Sequence, residues 1–243
     1  MERYIDMHCH ILPGVDDGAA DIAETRAMLQ VAYDEGIRCI IATPHHHPHR
    51  GHEHPEILKK KLTLVRRAAQ DIDENFRIYL GTEIYFGQDI PEKLKAGEVL
   101  SMNQRNRVLI EFSPSDNYNY IQQSIQQIQM QGYEVILAHA ERYPCLTDDI
   151  ELAEHIFNMG VDIQVNAGSI IGESGRKIKQ FVKTLMDQDM VFGVGTDAHS
   201  ATRRAPRMKK AAEYVKKKYG EDYMRRIFFG NAAAMLRKKK KEI

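Results

Sequence analysis

The feature that most constrains the fold of this chain is a regular alternation of short apolar segments with longer amphipathic ones. Apolar segments predict strands over about residues 4–10, 38–43, 77–83, 107–111, 134–139, 162–166 and 191–199. The segments between them predict helices over about residues 21–35, 55–75, 120–131, 149–159 and 174–188. Such alternation is typical of parallel strands joined by right-handed helical crossovers. It predicts an α/β fold, either an open doubly wound sheet or a barrel related to the eight-stranded one.

Side chains that can bind metal ions stand at or just past the C-terminal end of nearly every predicted strand. They are His8, His10, His45, Glu83, Glu111, His139, Asp197 and His199. In a parallel barrel these strand ends lie on one rim, where catalytic groups gather, whereas an open sheet would spread them along a line. Their distribution therefore favours a barrel.

The same residues predict a metal centre. With Asp17, on the loop after the first strand, nine groups of ligand type would converge. One ion takes about four to six ligands, so nine groups predict two or three divalent ions with at least one bridging carboxylate. Imidazole and carboxylate without thiolate suit Mn, Fe, Zn or a similar ion. Ordinary ion pairs of each carboxylate would not explain why ligand-type residues occur at nearly every strand end.

Two arginines close to these strand ends predict a phosphoryl substrate. Arg142 stands three residues after His139, and Arg204 stands five residues after His199. Arginine binds phosphate oxygens bidentately, and clustered divalent ions activate water and hold the oxygens of an ester. The pattern therefore predicts catalytic roles for Arg142 and Arg204 in phosphate-ester hydrolysis.

Cysteine-based phosphatase chemistry does not fit the sequence. A cysteine phosphatase loop needs an arginine six positions after the nucleophile, and none follows Cys9, Cys39 or Cys145 at that spacing. The chain also lacks the Gly-x-Ser-x-Gly and Walker patterns.

Composition excludes several classes of function. Lys+Arg and Asp+Glu number 34 each, so no global basic field indicates nucleic acid as a partner. No apolar run approaches the roughly 18 residues of a membrane span, and the N-terminus shows no apolar signal region. The cysteines form no pairing framework, which fits a reducing cytoplasm. We expect a single cytoplasmic domain over residues 1–243, with a short basic tail from about 237 and no indicated oligomeric state.

These motifs resemble the PHP (polymerase and histidinol phosphatase) metallohydrolases. More closely, the chain is similar to the bacterial manganese-dependent protein-tyrosine phosphatases of capsule and exopolysaccharide synthesis. The matching segments span about residues 5 to 205 and are Asp6-Met7-His8-Cys9-His10, Val15-Asp16-Asp17-Gly18, Ala42-Thr43-Pro44-His45, Gly81-Thr82-Glu83, Glu111-Phe112, His139-Ala140-Glu141-Arg142, Gln164-Val165-Asn166 and Thr196-Asp197-Ala198-His199 with Arg204.

The resemblance implies a distorted (β/α)7 TIM-like barrel, the PHP fold, and a division of the ligands among three ions. One ion would take His8, His10, Glu83 and Asp197, a second Glu83, Glu111 and His139, and a third Asp17, His45 and His199. Asp6 would orient an imidazole, and Arg142 and Arg204 would hold the phosphate. The implied partner is the phosphotyrosine segment of a cytoplasmic tyrosine kinase that regulates polymer synthesis. We expect direct attack on phosphorus by metal-activated hydroxide, without a covalent phosphoenzyme.

Some residues lie outside this match. Asp16 is a candidate general acid, and His46 is a candidate neighbour of the ligands. The other histidines of the tract, His47, His49, His52 and His54, share no single face of a strand or helix, so we expect them on a solvated loop. We treat His155, within a predicted helix, as structural, and the basic tail as a solubilising end or a contact for an acidic kinase segment or an anionic membrane.

Three alternatives remain open. One is a small-molecule phosphatase of the same superfamily, acting on histidinol phosphate or nucleotides; a deep closed pocket would favour it. A second is an amidohydrolase-type metallohydrolase, which a carboxylated strand lysine would support, although no strand-end lysine is apparent. The third is a non-enzymatic binding module, against which the ligand-type residues at nearly every strand end argue.

Overall fold

The computed structural model describes residues 3–237, so Lys238–Lys241 of the predicted basic tail lie outside the described residues. Strands and helices alternate along this range as the sequence predicts. The strands are β1 (Tyr4–Cys9), β2 (Ile37–Ala42), β3 (His45–His46), β4 (Arg77–Leu80), β5 (Glu83–Tyr85), β6 (Arg107–Glu111), β7 (Glu134–Leu137), β8 (Asp162–Asn166) and β9 (Val191–Gly195).

Helices connect these strands and continue past the last of them. They are α1 (Ile22–Asp34), α2 (Pro55–Ile72), α3 (Ile90–Ala96), α4 (Tyr118–Met130), α5 (Pro144–Thr147), α6 (Ile150–Asn158), α7 (Ala167–Ile171), α8 (Arg176–Asp187), α9 (Lys209–Tyr219), α10 (Glu221–Arg225) and α11 (Asn231–Leu236). Side-chain caps begin several of them; the Asp21 carboxylate, for example, accepts the Glu24 N–H at 2.9 Å at the start of α1. None of the helices between residues 3 and 237 combines the length and the apolar character needed to cross a membrane.

All strand pairs within the two sheets are parallel, which confirms the predicted α/β class. One sheet has the order β1-β2-β4, and the other has the order β3-β5-β6-β7-β8-β9. Two predicted strands are each split in two, at Thr43-Pro44 between β2 and β3 and at Gly81-Thr82 between β4 and β5. The backbone pairing nevertheless continues across the breaks, since Gly81 N–H donates to Ala42 C=O at 2.8 Å.

Backbone hydrogen bonds also join the ends of the first and last strands. Asp197 N–H donates to His8 C=O at 2.8 Å, and His10 N–H donates to Ala198 C=O at 2.9 Å. Cys9 and Ala198 form an isolated parallel bridge. The C-terminal ends of β1 and β9 therefore lie side by side, although they are far apart in the sequence.

Two apolar clusters flank the strands. In β2, Ile40 and Ala42 belong to the larger cluster, which includes buried residues of the surrounding helices, whereas Cys39 and Ile41 belong to a smaller one. Because strand side chains alternate between faces, β2 buries both of its faces. Burial of this kind explains the continuous apolar runs in the sequence.

Candidate metal centre

The structure brings the nine predicted ligand residues together at the C-terminal ends of the strands. Eight of them are buried, and Asp17, on the loop after β1, is exposed. They are His8 in β1 and His10 just after it, Asp17, His45 in β3, Glu83 in β5, Glu111 in β6, His139 after β7, and Asp197 and His199 after β9. Their side chains form three overlapping groups.

The first group contains His8, His10, Glu83 and Asp197, whose ligand-type atoms lie within 4.8 Å of one another. The Nε2 atoms of the two histidines are 3.2 Å apart. Glu83 Oε2 lies 3.2 Å from His8 Nε2 and 3.1 Å from His10 Nε2. These four residues are those that the resemblance assigns to one ion.

Hydrogen bonds at the far sides of these two imidazoles orient their free nitrogens toward one point. His8 Nδ1 lies 3.1 Å from Gln164 Oε1, which also accepts the His139 N–H, and His10 Nδ1 lies 2.8 Å from Asp16 Oδ2. Both partners accept protons, so the Nδ1 atoms carry them and the Nε2 lone pairs face each other beside carboxylate oxygens. A bound cation would offset the repulsion among these lone pairs and the carboxylate oxygens. Metal-ligating histidines usually donate their other ring N–H to an acceptor, as these two do to Gln164 and Asp16.

The second group is centred on Glu83 and Glu111. His139 Nε2 lies 2.7 Å from Glu83 Oε1 and 3.7 Å from Glu111 Oε1, as the resemblance implies. His45 also approaches these carboxylates, with Nδ1 at 2.9 Å from Glu83 Oε2 and 3.9 Å from Glu111 Oε2. Glu83 therefore contacts His8, His10, His45 and His139, in keeping with a bridging carboxylate.

The third group contains His10, Asp17, His45 and His199. Asp17 Oδ1 lies 3.3 Å from His45 Nε2 and 3.4 Å from His199 Nε2. The resemblance assigns Asp17, His45 and His199 to one ion, and the structure adds the imidazole of His10 to this group. His10 stands between the first and third groups, its ring centroid 3.9 Å from that of His199.

Within residues 3–237, several buried atoms of the cluster make no hydrogen bond of normal geometry, although some of them lie at ion-pair distance from one another. They are His45 Nδ1, Glu83 Oε2, His139 Nδ1 and His199 Nε2. A buried polar atom without a partner costs free energy, on the order of 1–3 kcal/mol, unless another group satisfies it. Lone pairs on imidazole and carboxylate are the donors that divalent transition metals bind, so these residues fit a metal centre.

Electrostatics favour the metal-binding protonation states of His139, His199 and Glu83. At His8 and His10, burial opposes protonation, but the neighbouring carboxylates raise the pKa. Burial, and then Arg142, lower the pKa of His139 to about 4, and burial, and then His10, lower that of His199 to about 2. Both imidazoles are therefore neutral at pH 7, the form that binds metal. Burial opposes ionisation of Glu83, but His8 and the neighbouring imidazoles of His10, His139 and His45 hold its pKa well below the usual range.

Backbone conformation sets two of these residues apart. His139 and Asp197 have φ angles of +32° and +52°, in the left-handed region that residues other than glycine rarely adopt. Such conformations cost about 1–3 kcal/mol each and are concentrated at functional sites. The unfavourable backbone conformation at His139 and Asp197 therefore accompanies the orientation of their side chains toward the cluster.

The predicted phosphate-binding arginines meet on a single carboxylate. The Arg142 guanidinium donates to Asp197 Oδ2, and the Arg204 Nη2 atom lies 2.9 Å from the same oxygen. Their side chains are 39% and 42% exposed, whereas that of Asp197 is 2% exposed. The two cations thus form an open edge of the cluster on the β9 side.

Arg50 is a third cation at this site, which the sequence analysis did not identify. Its Nη2 atom donates to both carboxylate oxygens of Glu111 at 3.1 Å, and Nη1 lies 3.4 Å from His45 Nε2. No local motif marks Arg50, because it reaches the cluster through the shape of its loop. The only signal was its position within the histidine-rich tract.

Asp16 and Asp6 differ from their predicted roles. Asp16 accepts hydrogen bonds from His10 Nδ1 and from the N–H groups of His45 and Gly18. Burial opposes its ionisation, but His10 and these bonds lower its pKa to about 2, which is wrong for a general acid. Asp6 binds no imidazole; it accepts the His8 N–H at 3.2 Å and the Thr196 N–H at 2.9 Å.

The other histidines fall into three environments. His46 is half-buried beside the cluster, and His49, His52 and His54 are exposed as expected. His47 is buried, 9% exposed, because its ring packs against Tyr85 with centroids 4.4 Å apart, so the prediction of a solvated position was wrong there. His155 lies in α6 and contacts the Tyr118 hydroxyl.

The cysteines are poorly suited to nucleophilic chemistry. Burial raises the pKa of Cys39 to about 12 and that of Cys9 well above the ordinary value. Burial also raises the pKa of Cys145, which is half-buried. A thiolate is the reactive form, so none of the three is activated.

Solved structures with little sequence similarity to this chain have the same fold. A mutant organophosphorus hydrolase from Deinococcus radiodurans matches with a TM-score of 0.64 at 12% identity, over 96% of this chain and 93% of that one. At this identity the match concerns the fold alone. The fold and the cluster together define a parallel α/β protein with a candidate site for several metal ions.

Closer comparisons identify the family. The family model described as capsular polysaccharide synthesis, CpsB/CapC, matches residues 4–237, and the chain belongs to this family. The tyrosine-protein phosphatase CpsB of Streptococcus pneumoniae is 31% identical over 232 residues, which cover 93% of this chain and 96% of that protein. A chain from the crystal structures of YwqE from Bacillus subtilis and CpsB from Streptococcus pneumoniae, described as unique metal-dependent tyrosine phosphatases, matches with a TM-score of 0.88 at 30% identity over 97% of this chain and 95% of that one. The resemblance drawn from the sequence is thereby confirmed.

Proposed function

We propose that this protein is a metal-dependent tyrosine phosphatase. The observation that carries the proposal is the convergence of nine imidazoles and carboxylates beside two arginines that share the Asp197 carboxylate. The family membership and the names of its relatives support the same activity. Without an activated cysteine, hydrolysis depends on the metal centre.

The nine residues would hold two or three divalent ions, for which we propose manganese. Bound ions of this kind supply an activated water and stabilise charge on the oxygens of a phosphoryl group. His8, His10, Glu83 and Asp197 would hold one ion, Glu83, Glu111 and His139 a second, and Asp17, His45 and His199 a third. Asp16 and Gln164 fix the tautomers and orientations of His10 and His8, because each accepts the proton of an Nδ1 atom.

The arginines would bind the non-bridging oxygens of the phosphate. Arg142 and Arg204 approach from the β9 side, and Arg50 approaches from the side of Glu111. Guanidinium groups match phosphate geometry and remain charged throughout the reaction, so they stabilise the developing charge. Tyrosine leaves as a phenolate, a relatively good leaving group, and the mechanism needs no dedicated general acid.

The exposure of these arginines favours a phosphotyrosine within a peptide over a buried small molecule. The side chains of Arg50, Arg142 and Arg204 are 35%, 39% and 42% exposed, while eight of the nine candidate ligands are buried. A phosphotyrosine could reach the centre from outside while its peptide stays on the surface. We propose the phosphotyrosine segment of a cytoplasmic tyrosine kinase as the substrate.

We also propose that the strands close into a distorted seven-stranded barrel within one domain. Taking β2 with β3 and β4 with β5 as interrupted strands leaves seven, and the hydrogen bonds between the ends of β1 and β9 support closure of the ring. Closure would place all strand ends around one centre.

The test is hydrolysis by metal-free protein refilled with Mn. Its substrates are a phosphotyrosine peptide, histidinol phosphate and a nucleoside monophosphate. We expect peptide turnover that requires Mn and falls by about 10²-fold or more in His199→Ala and Arg142→Ala. His155→Ala and Arg26→Ala are matched controls, since Arg26 pairs with Asp71 on the surface. A preference for histidinol phosphate would indicate a small-molecule phosphatase of the same superfamily. If metal-loaded protein hydrolysed none of the three substrates, the proposal of phosphatase activity would be wrong.

A further inference from the structure

A pocket next to the candidate metal centre is not explained by the proposed chemistry. We call it the side pocket; His46, His47, Tyr85, Phe86, Ile90 and Lys93 are among its lining residues. Its volume is about 410 Å³, and its surface is mostly apolar. None of the nine candidate ligands lines it, so metal binding does not account for it.

Residues that follow two of the candidate ligands in the chain line the side pocket. His46 and His47 directly follow His45, and Tyr85 stands two residues after Glu83. The ring of His47 lines the pocket beside the ring of Tyr85, with centroids 4.4 Å apart, and its centroid lies 6.1 Å from that of His45. The side pocket therefore begins one ring away from a candidate metal ligand.

The floor of the side pocket is preformed. Phe86 is 3% exposed, and its ring packs against those of Phe112 and Tyr120 with centroids 5.7 and 6.0 Å apart. Ile90, at the start of α3, is 2% exposed. At the rim, Lys93 Nζ pairs with Asp89 Oδ2 at 2.7 Å. A rigid apolar floor with a polar rim suits an aromatic side chain that enters from an extended peptide.

The phosphate-binding arginines do not line the side pocket. Arg142 and Arg204 contact Asp197, which follows β9, and Arg50 contacts Glu111. A phosphotyrosine held by these arginines would leave the side pocket open to a neighbouring residue.

We propose that the side pocket binds an aromatic side chain adjacent to the phosphotyrosine of the peptide substrate. The inference rests on the proposed function and adds a sequence preference to it. Burial of an aromatic side chain in a preformed pocket would favour such peptides over peptides with alanine by about tenfold or more in kcat/KM.

The test compares matched phosphotyrosine peptides with phenylalanine or alanine on either side of the phosphotyrosine. p-Nitrophenyl phosphate, which has no neighbouring residue, serves as the reference substrate. Gly87→Leu would fill the pocket, because a Cβ at Gly87 would meet only Asp89 Oδ1 at 2.9 Å, the end of an exposed side chain. Gln88→Leu adds the same side chain next to the pocket, at an exposed position that does not line it.

We expect wild type and Gln88→Leu to prefer phenylalanine, and Gly87→Leu to lose that preference while its hydrolysis of p-nitrophenyl phosphate is unchanged. Binding of labelled, non-hydrolysable phosphonate peptides, followed by fluorescence anisotropy, should show the same pattern without turnover. Equal kcat/KM values for the two peptides in wild type would overturn the proposal, as would a preference that survives in folded Gly87→Leu. Failure to hydrolyse any aryl phosphate would instead reject the proposed function, and the anisotropy comparison would then decide the pocket separately.

Discussion

Asp197 contacts both the metal-ligand cluster and the arginines that would bind phosphate. Its Oδ1 atom lies 3.6 Å from His8 Nε2 and 3.5 Å from His10 Nε2, on the side of the metal cluster. Its Oδ2 atom contacts the guanidinium groups of Arg142 and Arg204. One carboxylate therefore couples the position of the ions to that of the groups that would bind phosphate.

Arg50 offers a test at the scale of a single residue. We expect Arg50→Ala to lower kcat/KM for a phosphotyrosine peptide by about 10²-fold, because a charged donor that would face the phosphate is lost. Arg50→Lys should recover part of the activity, since lysine keeps the charge but lacks the planar guanidinium that places several donors at once. The measurement is steady-state hydrolysis with the Mn content determined for each variant.

Arg26→Ala serves as the control for removal of a surface arginine. A variant Arg50→Ala that keeps full activity and full Mn content would show that Arg50 takes no part in the reaction. Loss of Mn together with loss of activity would instead show that Arg50 acts by positioning Glu111.

At the scale of elements, the loop after β3 depends on one glycine. His47 N–H donates to Gly51 C=O at 2.6 Å, which folds the loop back and carries Arg50 toward Glu111. Gly51 has a φ of +142°, and a Cβ there would lie 2.6 Å from the Val15 carbonyl oxygen. Only glycine fits this approach between the loop and the segment that carries Asp16 and Asp17.

We therefore expect Gly51→Ala to displace the loop and lower kcat/KM by about tenfold to a hundredfold, because misplaced groups lose much of their catalytic effect. Gly97→Ala is the matched control: Gly97 also has a positive φ, +72°, but nothing lies within 4 Å of a Cβ there. Steady-state kinetics with thermal unfolding of both variants would check this. Equal losses of activity in the two would attribute the effect to backbone strain rather than to the loop.

The sequence predicts the elements better than their interruptions. Apolar runs and helical periodicity depend on local residues, and they predict seven strand segments and the helices between them. The breaks at Pro44 and at Gly81 depend on tertiary packing; a Cβ at Gly81, for instance, would meet Met102. Two features of the loop after β3 also depend on tertiary packing and cannot be predicted locally. The shape of the loop brings Arg50 to Glu111, and the ring of Tyr85 buries His47.

At the scale of the whole molecule, the candidate centre concentrates charge. Glu83, Glu111 and Asp197 are buried at the strand ends, and burial, and then Glu83, raise the pKa of Glu111 to about 7. Divalent ions would offset the repulsion among these carboxylates. They would also be bound by residues from strands of both sheets. Folded protein should therefore be stabilised by metal.

We expect removal of metal by chelation to lower the unfolding temperature and Mn to restore it. At a thousandfold excess over its Kd, one ion stabilises a folded protein by about 4 kcal/mol. For a chain of this size that corresponds to roughly 8–16 °C. Calorimetry with and without chelator, on samples of known metal content, measures the shift. An unchanged unfolding temperature would contradict a role for metal in stability.

The hydrogen bonds between the ends of β1 and β9 have a consequence for synthesis of the protein. His8 and His10 leave the ribosome about 190 residues before Asp197 and His199. Until β9 has emerged, the first strand has no partner on that side and the centre lacks two of its side chains. A nascent chain thus cannot assemble the complete centre until β9 and His199 have emerged, and full loading with metal must follow their synthesis.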